Sequence, residues 1–156
     1  MKRPPKKTEL FVKVLLATLD APAWCALSHG ARSLFIALKR RHRRDVNNNG
    51  SIFLSLRQAE AELGSKRDYI ARWYRELEHY GFIAMTRHGY LGVEGKGKAP
   101  HWRLTELPYM DDPPTQDFLN WNGVRFRSPE KNSRPIKADH LWSANGGHKV
   151  VRKWGP

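Results

Sequence analysis

Residues 54–83, "LSLRQAEAELGSKRDYIARWYRELEHYGFI", carry two helical patterns separated by a single glycine. Ser55 followed three residues later by Gln58 is a capping-box spacing. There the serine oxygen takes the N–H of the third helical residue and the glutamine reaches back to the cap, so a helix is predicted over 56–63. Gly64 supplies its stop. The second helix begins at Ser65 or Lys66, and Ile70, Trp73, Tyr74, Leu77 and Gly81 recur at helical spacing, with Tyr80 at the edge. So short a connection makes the helices neighbours, the first bracing the second. Opposite Ile70 and Leu77 on the helical wheel stand Asp68, Arg72, Arg75 and His79, with Lys66 and Arg67 in the first turn and Tyr69 at their margin.

The elements around this pair follow from the same rules. A helix is predicted to start near Ser28, because Ala31, Leu34, Phe35 and Leu38 fall at i, i+3, i+4 and i+7. It closes on "KRRHRR", and "NNNG" at 47–50 then breaks the chain. "SIFLS" reads as a short strand, and "LFVKVLLATL" fits a short helix and a strand equally well. After the helix pair, "GFIAMT" and "HWRLTEL" read as strands joined by "RHGYLGVEGKGKAP", a β-hairpin with a flexible basic tip. Residues 1–9 read as a mobile basic arm. Past Pro108 there are five prolines, no sustained period and three tryptophans, which describes a tail with short anchoring segments, "DFLNW" foremost. Phe118, Trp121 and Phe126 could pack that tail across its own domain. Helix, strand, helix, turn, helix, hairpin is the order of a winged helix-turn-helix. The predicted fold is α+β, mostly α, with a small antiparallel hairpin wing and an irregular C-terminal tail; the domain spans 10–108 and the tail 109–156.

Charge narrows the partner. The formal net charge is +13 and the pI about 10.2, which favours a polyanion. Residues 1–55 carry eleven basic against three acidic residues, residues 56–109 nine against seven, and the remainder eight against five. The lone Cys25 excludes an internal disulfide and a cysteine-rich zinc site, and its apolar neighbours predict a buried thiol. Lys13 interrupts the apolar run near the start, which argues against a secretory signal, and no run is long enough for a membrane span. "GVEGKGKA" approaches a phosphate-binding loop, but Ala99 lacks the magnesium-binding hydroxyl and Pro100 stands where a helix should begin. The seven histidines show no paired metal-ligand spacing, so no metal, cofactor or catalytic group is expected.

A helix braced by another suits a major groove about 12 Å wide. Arginine pairs bidentately with guanine, which makes Arg67 and Arg72 the first candidates for base contacts, with Lys66 and Tyr69 beside them. Asp68 would orient an arginine or accept from a cytosine amino group, and Arg75 completes the outer face. Lys39, Arg40, Arg41, Arg43 and Arg44 exceed what helix capping requires, so phosphate contact is expected of them. Lys96 and Lys98 on the wing suit a backbone or minor-groove contact.

"APAWCALSHGARSLFIALKRR", the pair beginning "NNNGSIFLSLRQAEAELGSKRDYIARWYRELEHYGFI" and "APHWRLTEL" together resemble small bacterial and phage winged-helix proteins, related to winged-helix domains of phage and plasmid replication proteins. The likeness covers about residues 20–107, and "PPTQDFLNW" extends it into the tail. It implies a winged helix that binds double-stranded DNA. The expected role is a sequence-specific transcriptional regulator, cytoplasmic and nucleoid-associated. The alternatives are an origin-binding protein of replication or plasmid maintenance, and an interaction module in phage packaging or as a protein-binding platform. A homodimer through 10–24 or the tail, and a replication or transcription protein recruited by the tail, are the protein partners such roles admit; no membrane partner is expected.

Overall fold

The computed structural model describes residues 10–91 and 97–128. The segment ambiguous between helix and strand becomes an irregular lead into α1 (Leu16–Leu19), followed by α2 (Pro22–Ala26), with proline at its start where no N–H is needed. Helix α3 (His29–Lys39) starts where the sequence places it, with the Ser28 hydroxyl accepting from the Ala31 N–H. Helix α4 (Leu56–Leu63) has the full capping box of Ser55 and Gln58 and ends on Gly64 at φ 63°. Helix α5 (Arg67–His79) follows, with Lys66 as its N-cap residue.

Two antiparallel ladders complete the described structure. Strand β1 (Ile83–Arg87) pairs with β4 (His101–Leu104), and β2 (Tyr90–Leu91) with β3 (Gly97–Lys98). The first ladder slips between Met85 and Arg87, and there the Thr86 hydroxyl donates to the Gly50 carbonyl at 2.6 Å. The result is a mixed α+β chain, mostly helical, with five α-helices among the described residues.

Three expectations change. The strand expected at "SIFLS" shrinks to one bridge, Ile52 to Trp102, because Ser55 is committed to capping α4 and the Leu54 carbonyl accepts from the Tyr74 hydroxyl at 2.7 Å. Gly81 is not part of the α5 stripe. It lies past the Tyr80 C-cap at φ 78°, and the Phe82 N–H closes back on the Leu77 carbonyl. Cys25, expected to be buried, is exposed, since α2 turns Ala23 inward instead.

The core joins Leu34, Phe35 and Leu38 of α3 to Ile70, Tyr74 and Leu77 of α5, with Phe82, Ile83, Trp102 and Leu104 beneath. Trp24, Phe35 and Phe82 meet edge to face at 5.5–5.7 Å, and Phe118 stacks on Phe82 at 4.8 Å. Phe118 sits on a short 3-10 helix (Asp117–Asn120), so the segment "DFLNW" is an anchor, as its aromatic content implies. A Cβ on Gly81 would approach the backbone of Asp117 and Phe118 to 2.9 Å, which explains why the α5 exit carries no side chain. The compact unit therefore includes this segment and runs through Phe126. The arm at 1–9 and the tail from 129 onward lie outside the described residues.

Phe118→Ala should lower the unfolding free energy by about 3–5 kcal/mol, as lost burial and a residual cavity add. Leu119→Ala, at a half-exposed neighbour, should stay within about 0.5 kcal/mol. Urea midpoints for the two proteins check this; equal midpoints would mean the segment is not part of the core.

Candidate functional site

The outward side of α5 depends on how its inward side is held. Ile70 and Leu77 have no exposed surface and Tyr74 only 6%. Tyr74 also stacks on Trp102 at 5.2 Å, and burial pushes its hydroxyl pKa upward. The buried Glu76 carboxylate accepts from the Ser28 N–H at 2.5 Å and from the Ser28 hydroxyl at 2.8 Å, which ties α5 to the start of α3. On α4, Glu60 accepts from the Arg67 N–H at 2.9 Å, filling the α5 N-terminus that Lys66 leaves uncapped. With those contacts made, Lys66, Arg67, Asp68, Tyr69, Arg72 and Arg75 all remain exposed, Tyr69 at 55%.

The C-terminal end of the same face is taken. His79 donates through Nε2 to the Val124 carbonyl at 2.7 Å and packs against Phe126 and Tyr80. Tyr80 is buried against Trp121, and its hydroxyl accepts from the Phe126 N–H. Residues 121–126 thus cover the last turn of α5 and stop short of Arg67 and Arg72.

The basic run after α3 divides. Lys39 is a correction: it is 8% exposed, pairs with the buried Glu106 carboxylate and lies over the Phe35 ring, so it is not available to an external phosphate. Burial, with the positive charge of Lys13 adding to it, brings the Lys39 pKa from 10.5 to about 8, which leaves the ammonium charged at neutral pH. The Thr18 hydroxyl donates to the other Glu106 oxygen at 2.8 Å. Arg40 and Arg41 reach Glu62 of α4 at 3.3 and 2.6 Å, and the Arg41 hydrogen bond, aided by the positive charge of both arginines, holds the Glu62 carboxyl below its usual range. Arg43 lies 3.4 Å from Asp45, with both side chains about two-thirds exposed, and Arg44 is exposed. Both are placed where solvent and ligands reach them.

Two depressions gather these cations into separate groups. Arg67, Arg75 and Lys98 line one together with Arg57. Arg40, Arg41 and Arg43 line another beside the half-exposed Phe53, whose ring stacks on His101. The first turn of α4 runs between them, since Arg57 faces one and Gln58 the other. Lys98 also lies 5.4 Å from the Tyr90 ring. Lys96 lies outside the described residues.

Sequence reasoning missed Arg57, Glu60, Glu76 and Asn49. Asn49 is 6% exposed; its amide nitrogen lies 2.9–3.1 Å from the carbonyls of Leu104, Leu107 and Pro108, and its oxygen accepts from the Leu104 N–H. It fastens the "NNNG" turn to the end of β4. No helix among the described residues is long and apolar enough to cross a membrane. Comparisons of the chain with protein-family models, curated proteins and solved structures give no match.

Lys39→Met should destabilise the protein by about 3–5 kcal/mol, because it strands the Glu106 carboxylate in the core. Arg44→Met should change stability by no more than about 0.5 kcal/mol. Chemical denaturation of both variants at neutral pH provides the comparison. A second expectation concerns pH. Glu62 is held below its ordinary pKa, so its bond to Arg41 contributes stability above the unfolded carboxyl range and loses it as pH falls. Glu62→Gln should therefore be less stable than the parent at pH about 7 and converge with it below about pH 4.

Proposed function

We propose that the chain is a winged helix-turn-helix protein that binds double-stranded DNA, with α5 entering the major groove and the hairpin touching the backbone. The observation that carries this reading is the exposure of Arg67, Arg72 and Arg75 on a helix whose other side is fixed in the core. A helix braced in that way can present a constant pattern of donors to base edges. Arg67 lies in the first helical turn, the part of a recognition helix that reaches bases, and Arg72 lies farther along the open side. Arg57 and Lys98 flank Arg67 and Arg75 in one depression, an arrangement suited to a phosphate backbone running beside the groove. A net charge of +13 favours the same polyanion.

The role that fits best is a sequence-specific transcriptional regulator. Origin recognition uses the same surface, and mapping the bound DNA separates promoters from origins.

Affinity for selected and scrambled duplexes, measured over a salt series, tests the proposal. Arg72→Ala should lose about 1–3 kcal/mol of discrimination at one base position. Lys98→Ala should weaken all duplexes alike and flatten the slope of log affinity against log salt by about one. Equal affinity for every sequence would rule out a specific regulator, and no binding at low ionic strength would remove the DNA reading altogether.

A further inference from the structure

The depression beside α5 joins an apolar lining to a cationic rim. It is a cleft of about 440 Å³ between the start of α4, one flank of α5 and the hairpin residues 97–100. That size falls in the range of small-molecule sites, roughly 300–1,000 Å³. Its floor is apolar and largely fixed. Its half-buried apolar surface comes from Leu56, Ala71, Met85, Ala99 and Pro100. Beneath it Leu54 and the stacked rings of Tyr74 and Trp102 are buried, the Tyr74 hydroxyl already committed to the Leu54 carbonyl. Below the cleft, the buried Trp102 indole N–H has no acceptor among the described residues. The rim is different in kind. Arg57, Arg67, Arg75 and Lys98 stand around it against the single carboxylate of Glu78.

We propose that this cleft binds a small organic anion with an apolar body, such as an aromatic carboxylate. An apolar body is called for by the floor, because a simple hydrated anion would leave that surface in water. A negative group is called for by the rim, because a neutral molecule would gain nothing from four cations around the opening. Arginine adds a second reason for a carboxylate, since its fork of donors matches two oxygens at once.

The site is defined by the cleft and does not depend on the DNA reading, although the two share Arg57, Arg67, Arg75 and Lys98. Naphthoate is a suitable probe, with naphthalenemethanol as its neutral counterpart and inorganic phosphate as the anion without an apolar body. Calorimetric titration of the full chain should show saturable one-to-one binding of naphthoate, and neither control should match it. Ala71→Leu, at a half-buried α5 position in the cleft wall, adds apolar volume without changing charge. Arg75→Gln removes one rim cation. Each should weaken naphthoate about tenfold or more, while circular dichroism and urea midpoints report whether either variant has lost its fold. Absence of saturable naphthoate binding overturns the proposal, as does undiminished binding by folded Ala71→Leu. Equal binding of naphthalenemethanol, or of phosphate, overturns the ligand class. Naphthoate binding without duplex binding would sustain this site and end the other reading; duplex binding without naphthoate binding would do the reverse.

Discussion

The contact on which the molecule depends is the crossing of α3 and α5. Glu76, one turn from the end of α5, places a buried carboxylate against the N-terminus of α3 and takes both the N–H and the hydroxyl of Ser28. A negative group there meets the positive end of the helix dipole and satisfies a donor that would otherwise be orphaned. Two residues along α3, Gly30 lets the helices approach, for a Cβ at that position would lie 2.0 Å from the Trp73 ring. One interaction is electrostatic and the other steric, and together they fix α5 in rotation as well as position. The side that faces outward is thereby decided before any ligand is present.

The chain is strongly basic, yet its acidic residues do much of the holding. Glu60 caps α5, Glu62 binds the arginines after α3, Glu76 caps α3, and Glu106 holds Lys39 and Thr18. All four lie in 56–109, the part whose charges nearly balance. Near balance in the sequence therefore does not mean a neutral surface. Glu76 and Glu106 are spent inside, Glu60 and Glu62 are engaged by donors at the surface, and the cations left over on α4, α5 and the hairpin face outward.

How much of this could be read beforehand varies with the range of the interaction. The Ser55–Gln58 cap, the Ser28 start and the Gly64 stop are written in residues three or four apart, and each falls where the pattern puts it. Residue type alone puts Lys39 among the phosphate contacts, while its position puts it in the core. It lies four residues beyond Phe35 and eight beyond Ala31, on the buried stripe of α3, so the periodicity contained the signal while the partner, Glu106, did not. Gly81 fits the α5 period yet serves its exit, a distinction that only the approach of Asp117 and Phe118 reveals. Arg57 is not singled out by the sequence, where α4 reads as support for α5 alone. What placed it in a candidate site is the hairpin across the cleft, far along the chain.

The tail segment and the hairpin divide α5 between them. Residues 121–126 engage its last turn through His79 and Tyr80, where the chain leaves the helix and Phe118 enters the core. The hairpin is anchored nearer the middle, where Trp102 stacks on Tyr74 and bonds to Ile52. Neither anchor could move toward the first turns of α5 without giving up aromatic burial. The open cations at Arg67, Arg72 and Arg75 are thus a consequence of where the apolar anchors sit. A partner that met α5 would meet this half, between a fixed hairpin base on one flank and the arginines after α3 beyond α4.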